Sequence, residues 1–421
     1  MHAPVPATAA EAAASAPPLD AYQKRLLVFL SVASFFEGYD FIALGQILPN
    51  LRADMGLSEA AGGRIVGAIG FGAVLSYFLV RLADRWGRAR MLTITILGYT
   101  LFTFLTGLSR SAWDFMLFQL AARVFLVAEW ALAAVFASEE FPAARRGFAL
   151  AMLQASTTFG SIVGAGVAPL LLMTPFDWRS VYFVGIAPLL MLAWARRGLR
   201  ESGRFRSVEA GREAGGPGSL FAIFRTRYRG RVLWMAAIWS LTYAATQPAI
   251  TFFKEYAVNE LSWTDGQVGL SVATATVASL PLVLALGTVV DRLGRRRSAM
   301  LVYSICTAAV VLAFQLTGFW TLTLLMMLAA FAAVGILTVL NAYTTEIFPT
   351  EMRAQAFAWS NNLLGRLGYV VGPVVVGAMA GPLGWGDAVS VMAVCVVAAL
   401  VIVLAVLPET AGRELEDTAA L

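Results

Sequence analysis

The chain has one histidine, His2, and two cysteines, Cys306 and Cys395, among 421 residues. An imidazole proton relay, a Cys/His zinc site and a disulfide framework are therefore excluded. Charge is also scarce, at 14% charged against 59% hydrophobic residues, far from the balance of a soluble domain. A globular core cannot hide that much apolar surface. A bilayer accepts it when it comes in runs of about 20 residues, each long enough for the ~30 Å hydrocarbon layer. Nor does the sequence hold a phosphate-cradling glycine loop, a cluster of metal ligands or a nucleophile beside a base, so neither an enzyme nor a bound cofactor or metal is expected.

Apolar runs are what the chain does have. Residues 24–48, 62–80, 91–108, 113–137, 148–173 and 181–195 supply six, and 232–257, 268–290, 299–316, 320–344, 357–380 and 388–407 supply six more. The expectation is an all-α membrane protein with 12 transmembrane helices in two six-helix bundles. The formal charge of +5 is carried almost wholly by arginine, which collects in the connections between runs. In alternate connections 24 basic residues face only 4, namely Arg52, Arg64, Arg110 and Arg179. This is a topology signal rather than a nucleic-acid footprint, and it places both termini in the cytoplasm. No cleavable signal sequence precedes the first run. The expected organisation is a disordered tail (1–22), a first bundle (23–196), a glycine-containing cytoplasmic linker (197–229), a second bundle (230–408) and a cytoplasmic tail (409–421). Lys254, near the outer end of the seventh run, is expected to snorkel to the membrane interface, leaving Arg123 and Arg366 as cations within the runs.

The two halves repeat one another. Asp84-Arg85-Trp86-Gly87-Arg88 recurs as Asp291-Arg292-Leu293-Gly294-Arg295, and Glu139-x-x-Pro142-x-x-x-Arg146 recurs as Glu346-x-x-Pro349-x-x-x-Arg353, both at an offset of 207. Asp177-Trp178 aligns with Gly384-Trp385, and Gly160-x-x-x-Gly164 with Gly368-x-x-x-Gly372. A duplicated unit of this kind places a substrate site near mid-membrane between the halves, with alternating access by rocking. The glycine turns let charges at neighbouring helix ends meet, so Asp84, Arg85, Arg88, Glu139, Arg146, Asp291, Arg292, Arg295, Glu346 and Arg353 are expected to act as gate latches.

These motifs resemble the major facilitator superfamily from about Leu26 to Glu416. Gly287-x-x-x-Asp291-Arg292-x-Gly294-Arg295-Arg296 fits the superfamily's loop signature, with Val80 in place of its glycine in the first copy. Glu201-Ser202-Gly203-Arg204 and Pro408-Glu409-Thr410-x-Gly412-Arg413 are similar to sugar-porter tails. Glu37-Gly38-Tyr39-Asp40-Phe41 resembles the acidic element in helix one of aromatic-acid and sialate/lactate proton symporters, with Glu37 replacing an aspartate. Glu129-Trp130 is similar to the sialate/lactate group, and Gly365-Arg366-Leu367-Gly368 to the aromatic-acid group. The arginine that the family often carries early in helix four is Gln119 here, with Arg123 one turn further on.

The charges inside the runs bear on function. Glu37 and Asp40 are three residues apart on one helical face. Each charge at the bilayer centre costs roughly 2.5 to 3.5 kcal/mol, so an idle pair is hard to keep. With no histidine at hand, Asp40, Glu37 and Glu129 are the expected proton carriers. Arg366 and Arg123 keep a permanent charge and need a carboxylate from the protein or from a substrate. Gln247, Asn361 and Asn362 offer neutral hydrogen bonds, and Tyr243 an aromatic wall, to a ligand. Together these features lead to a monomeric secondary carrier of the bacterial inner membrane, in contact with lipid, that imports a small organic anion with protons. A sugar or polyol symporter and a drug or metabolite exporter are the alternatives.

Overall fold

The computed structural model describes residues 19–187 and 221–410. Residues 1–18 of the expected N-terminal tail, most of the linker and all but two residues of the C-terminal tail lie outside the described residues, and the end of that expected tail, Ala21 and Tyr22, already belongs to the first helix. The chain is helical from end to end of each described stretch, as α1 (Ala21–Met55), α2 (Glu59–Trp86), α3 (Arg88–Gly107), α4 (Ala112–Glu140), α5 (Ala143–Leu172) and α6 (Arg179–Phe183), which continues into a 3₁₀ turn, Val184–Ile186. The second half begins with α7 (Arg229–Thr251) and α8 (Phe253–Asn259), then α9 (Asp265–Leu293), α10 (Arg295–Ala313), α11 (Phe319–Glu346), α12 (Thr350–Phe357), α13 (Gly368–Leu383), α14 (Trp385–Val391) and α15 (Ala393–Val406). Among the described residues ten helical stretches are long and apolar enough to cross a membrane. The sixth run passes out of the described residues, and the seventh is split into α7 and α8.

Helix starts follow local chemistry. Asp20, Ser111 and Thr264 each form a capping box with the residue three places on, satisfying amides that the first turn leaves free. Gly87 and Gly294, one repeat apart, hold φ of 91° and 82° between successive helices, a left-handed turn that a side chain would strain.

Small residues set the helix spacing, as in other bundles whose surroundings are as apolar as their side chains. Gly38 of α1 lies against the Thr157 carbonyl of α5, and Gly160 of α5 against the Phe35 carbonyl of α1. The Ser161 hydroxyl donates to the Gly38 carbonyl at 2.9 Å, tightening the same crossing. In the second half Gly368 and Gly372 of α13 meet Ser240 and Ala244 of α7 in the equivalent crossing. A Cβ at Gly38 or Gly160 would overlap backbone, which cannot give way. Gly38→Leu is therefore expected to yield no monodisperse protein in size-exclusion chromatography, whereas Gly166→Leu, at a glycine with open space around it, is expected to elute as the parent does.

Two glycine-lined seams join the halves. In one, Gly63, Gly67 and Gly70 of α2 approach Gly377, Val370 and Tyr369 of α13; in the other, Gly269 of α9 approaches Ala165 and Pro169 of α5. Both seams lie towards the end of the molecule that carries Arg52, Arg64, Arg110 and Arg179, called here the Arg-poor end.

Candidate functional site

Two irregularities shape the middle of the second half. α7 stops at Thr251, one turn beyond its internal Pro248, and Phe252 separates it from α8. Between α12 and α13 the chain adopts a π-helical turn, Ala358–Leu363, and a 3₁₀ turn, Gly365–Leu367. Such turns leave carbonyls and amides out of the regular ladder and re-aim side chains, and they gather at functional positions. Here they carry Asn361, Asn362 and Arg366. The Tyr243 hydroxyl donates to Asn361 Oδ1 at 3.4 Å, and the Tyr243 ring stacks on Tyr369 with centroids 4.4 Å apart and on Trp239 at 5.3 Å. Gln247 donates to Thr251 on its own helix, and Asn362 is half-buried.

The acidic residues all come from the first half. Asp40 and Glu129 are buried, at 3% and 1% exposure. Glu37 lies within hydrogen-bonding reach of Thr157, and Arg123 within electrostatic reach of both Glu37 and Asp40. Glu129 interacts electrostatically with Glu37. One oxygen of Glu37 and one of Glu129 are buried without a hydrogen-bond partner, a condition that a proton or a ligand relieves. The Tyr99 hydroxyl of α3 donates to the Phe36 carbonyl of α1 at 3.3 Å and lies within electrostatic reach of Asp40 and Glu129.

Arg366 has a different set of neighbours. Its Nη1 donates to the Ala73 carbonyl at 2.8 Å and to Ser76 Oγ at 3.3 Å, both on α2 of the other half. Arg123 also reaches α2: a Cβ placed on Gly72 would lie 3.0 Å from Arg123 Cβ. Arg123 and Arg366, one from each half, thus both pack on α2 at residues 72–76, Arg123 through the base of its side chain and Arg366 through its guanidinium. Among the described residues neither has a carboxylate within ion-pair distance. Tyr369 lies within electrostatic reach of Arg366, Arg123 and Glu37 together.

At the Arg-rich end the repeat reappears as geometry. Arg88 pairs with Glu139 at 3.4 Å, and Arg295 with Glu346 at 2.9 Å, each pair inside its own half. Glu409 accepts from the amides of Arg295 and Arg296 at 2.9 and 3.0 Å, capping α10, and the Thr410 hydroxyl bonds Glu346. Arg85 and Arg292 are exposed, while Arg146 and Arg353 are half-buried. Asp84 and Asp291 sit in the last turns of α2 and α9, and their side chains lie outside the described set.

The Arg-poor end corrects one expectation. Lys254 does not snorkel: it is 2% exposed. Its Nζ bonds the Gln46 carbonyl and Asn50 Oδ1 of α1, and Asp265 Oδ1 at 2.6 Å. The next residue, Glu255, pairs with Arg52 of α1 at 2.7 Å, and Arg52 also takes Glu59 at 2.6 Å. Burial with several hydrogen bonds offsets the cost of withdrawing these charges from water, which an isolated lysine could not do. Gln46 and Asn50, four residues apart at the end of the first apolar run, were the available signal for this clasp. Sequence reasoning also missed Ser76 and Tyr369, since nothing local marks either.

A duplicated helical bundle with buried charges between its halves is the architecture of a membrane carrier. The family model of the Major Facilitator Superfamily matches residues 30–254 and 238–420, so the chain belongs to that family. It is 26% identical over 411 residues to a "Putative metabolite transport protein" of Haemophilus influenzae, covering 94% of this chain and 99% of that one. It is 28% identical to a "Probable 4-methylmuconolactone transporter" of Cupriavidus pinatubonensis (90% and 89% covered) and 27% identical to a "Gallate transporter" of Pseudomonas putida (86% and 86%). Among solved structures, a bacterial homologue of the human lysosomal transporter Spinster superimposes with a TM-score of 0.75 at 15% identity, covering 91% of this chain and 97% of that one.

Proposed function

We propose that the protein is a proton-coupled symporter that imports a small organic anion, an aromatic acid or a ring-cleavage acid, by alternating access. It works as a monomer among the lipids of a bacterial inner membrane, with the Arg-rich end and both termini in the cytoplasm. The observation that carries the reading is that Arg123 and Arg366, one from each half, both pack on α2, with Glu37 and Asp40 within electrostatic reach of Arg123. Relatives named for gallate and for cis,cis-muconate support the substrate class.

The coupling follows from the charges. Ionised Glu37 and Asp40 compensate Arg123; protonating one of them leaves that cation uncompensated, and a substrate carboxylate restores the balance. Proton and anion therefore favour each other's binding, as symport requires. The aromatic ladder of Trp239, Tyr243 and Tyr369 offers flat apolar surface to a ring, and the guanidinium fork of Arg366 offers paired donors to its carboxylate. The residues at the Arg-rich end act as latches that link across halves when the carrier opens to the other side.

The test is thermal stabilisation of purified protein by gallate, cis,cis-muconate and nicotinate, with xylose as an uncharged control, from pH 5.5 to 8. Stabilisation by at least one acid is expected, larger at low pH because proton and anion favour each other's binding, and absent in Arg366→Ala. Stabilisation by xylose but by none of the acids, or equal stabilisation of Arg366→Ala by an acid, would refute the assignment.

A further inference from the structure

The turn of α2 from Ala73 to Ser76 is left unused by the coupling just described, yet among the described residues it holds the hydrogen-bond partners of Arg366. The Ser76 hydroxyl lies 2.8 Å from the Ala73 carbonyl, to which it donates, and 3.3 Å from Arg366 Nη1, from which it accepts. Ser76 itself is 2% exposed. We infer that the Ala73 carbonyl and the Ser76 hydroxyl form a parking site for Arg366 in the empty carrier, from which a substrate carboxylate draws the guanidinium away. Ser76 is then a positioning residue that sets affinity without touching substrate. The parking site stands on geometry alone; the competition with a carboxylate rests on the organic-anion reading above.

Three features favour such an exchange. A carbonyl and a hydroxyl are neutral acceptors, whereas a carboxylate takes two parallel, charge-assisted bonds from the guanidinium fork, so the anion is the stronger partner. Departure of Arg366 strands nothing costly, because the Ala73 carbonyl keeps the Ser76 hydroxyl as a donor. Finally, Arg366 sits in a 3₁₀ turn directly after a π-helical turn, a stretch that can change its local winding without breaking a regular helix.

The location gives the exchange a consequence. Gly63, Gly67 and Gly70 continue the α2–α13 seam towards the Arg-poor end, and the Arg366 bonds to Ala73 and Ser76 extend it towards the middle of α2. Drawing Arg366 off α2 removes these two hydrogen bonds between the halves and leaves the glycine contacts in place. Substrate occupancy is thereby felt at the interface that must move.

The experiment has two arms. In the first, the melting temperatures of the empty wild type, Ser76→Ala, Arg366→Ala and the double variant are compared in detergent, with Arg366→Met in the cycle if Arg366→Ala is not recovered folded. Ser76→Ala is expected to lower the melting temperature in the wild-type background and to leave it unchanged where Arg366 is absent. Additive losses would overturn the parking site, with or without a ligand. In the second arm Kd is measured for gallate, cis,cis-muconate and nicotinate. Each acid that binds wild type is expected to bind Ser76→Ala about threefold more tightly, the low end for one hydrogen bond released, in keeping with its 3.3 Å length. Weaker binding by Ser76→Ala would make Ser76 a substrate ligand and overturn the competition. Failure of all the acids to bind wild type would sink the organic-anion reading and the competition with it, while the first arm still decides whether Arg366 is parked on α2.

Discussion

Lys254→Met is expected to release the clasp at the Arg-poor end, the external end in the proposed orientation, and shift the empty carrier towards a form open at that end. Lys254 joins α8 to α1 through Gln46 and Asn50 and is balanced by Asp265. Methionine keeps the apolar stem but supplies no donors. The loss removes two hydrogen bonds to α1 and leaves Asp265, at 35% side-chain exposure, without its cation, at a cost of about 1 to 3 kcal/mol. It falls on the form closed at this end alone, because in the open form these groups face water. A difference of that size moves a two-state equilibrium by roughly five- to a hundredfold. Spin labels at Ala53 and Ser262, both exposed at this end, in a background without Cys306 and Cys395, would report it. Wild type should give one short distance, and Lys254→Met a dominant longer one. An unchanged distance distribution in folded Lys254→Met would remove Lys254 from the gate. Glu255→Gln should act in the same direction but more weakly, since Arg52 retains Glu59.

The second large effect concerns Asp40. If its ionised form compensates Arg123 and its protonated form admits the anion, Asp40→Asn fixes the protonated charge state. Such a carrier should still exchange internal for external acid, because the loaded forms interconvert. It should lose accumulation driven by a pH gradient, because each pH unit supplies about 1.4 kcal/mol only if a proton crosses with the substrate. Exchange at near wild-type rate with accumulation at background is the expected pair of results. Normal accumulation by Asp40→Asn would take it off the proton path and turn attention to Glu129, which is equally buried and has an oxygen without a partner.

The apolar runs made the spans and the duplication legible, because a bilayer enforces the length of each span and a repeat preserves its spacing. The pairs Arg88–Glu139 and Arg295–Glu346 carry the 207-residue offset into the structure, as do the turns at Gly87 and Gly294. The breaks were harder to see. Pro248 hinted at the end of α7, but the π-helical turn at Ala358–Leu363 has no composition of its own and arises where Gly365 and Gly368 press against α7. Lys254 was misread because its fate depends on residues about 200 positions away, and a lysine near a helix end looks the same whether it reaches water or a buried carbonyl. The partners of Arg366 were illegible for the same reason. Sequence spacing relates residues on one helix, whereas α2 meets α13 only through tertiary packing.

Proteoliposomes containing the purified protein, loaded at pH 7.5 and diluted into medium at pH 5.5 with labelled gallate, cis,cis-muconate or nicotinate, test the central claim most directly. The account predicts uptake of at least one acid above its external concentration and beyond the level of protein-free liposomes. That accumulation should collapse when a protonophore removes the gradient and should be missing in Arg366→Ala. Uptake that only equilibrates, unaffected by the gradient, or gradient-driven uptake of an uncharged sugar in place of every acid, would contradict it.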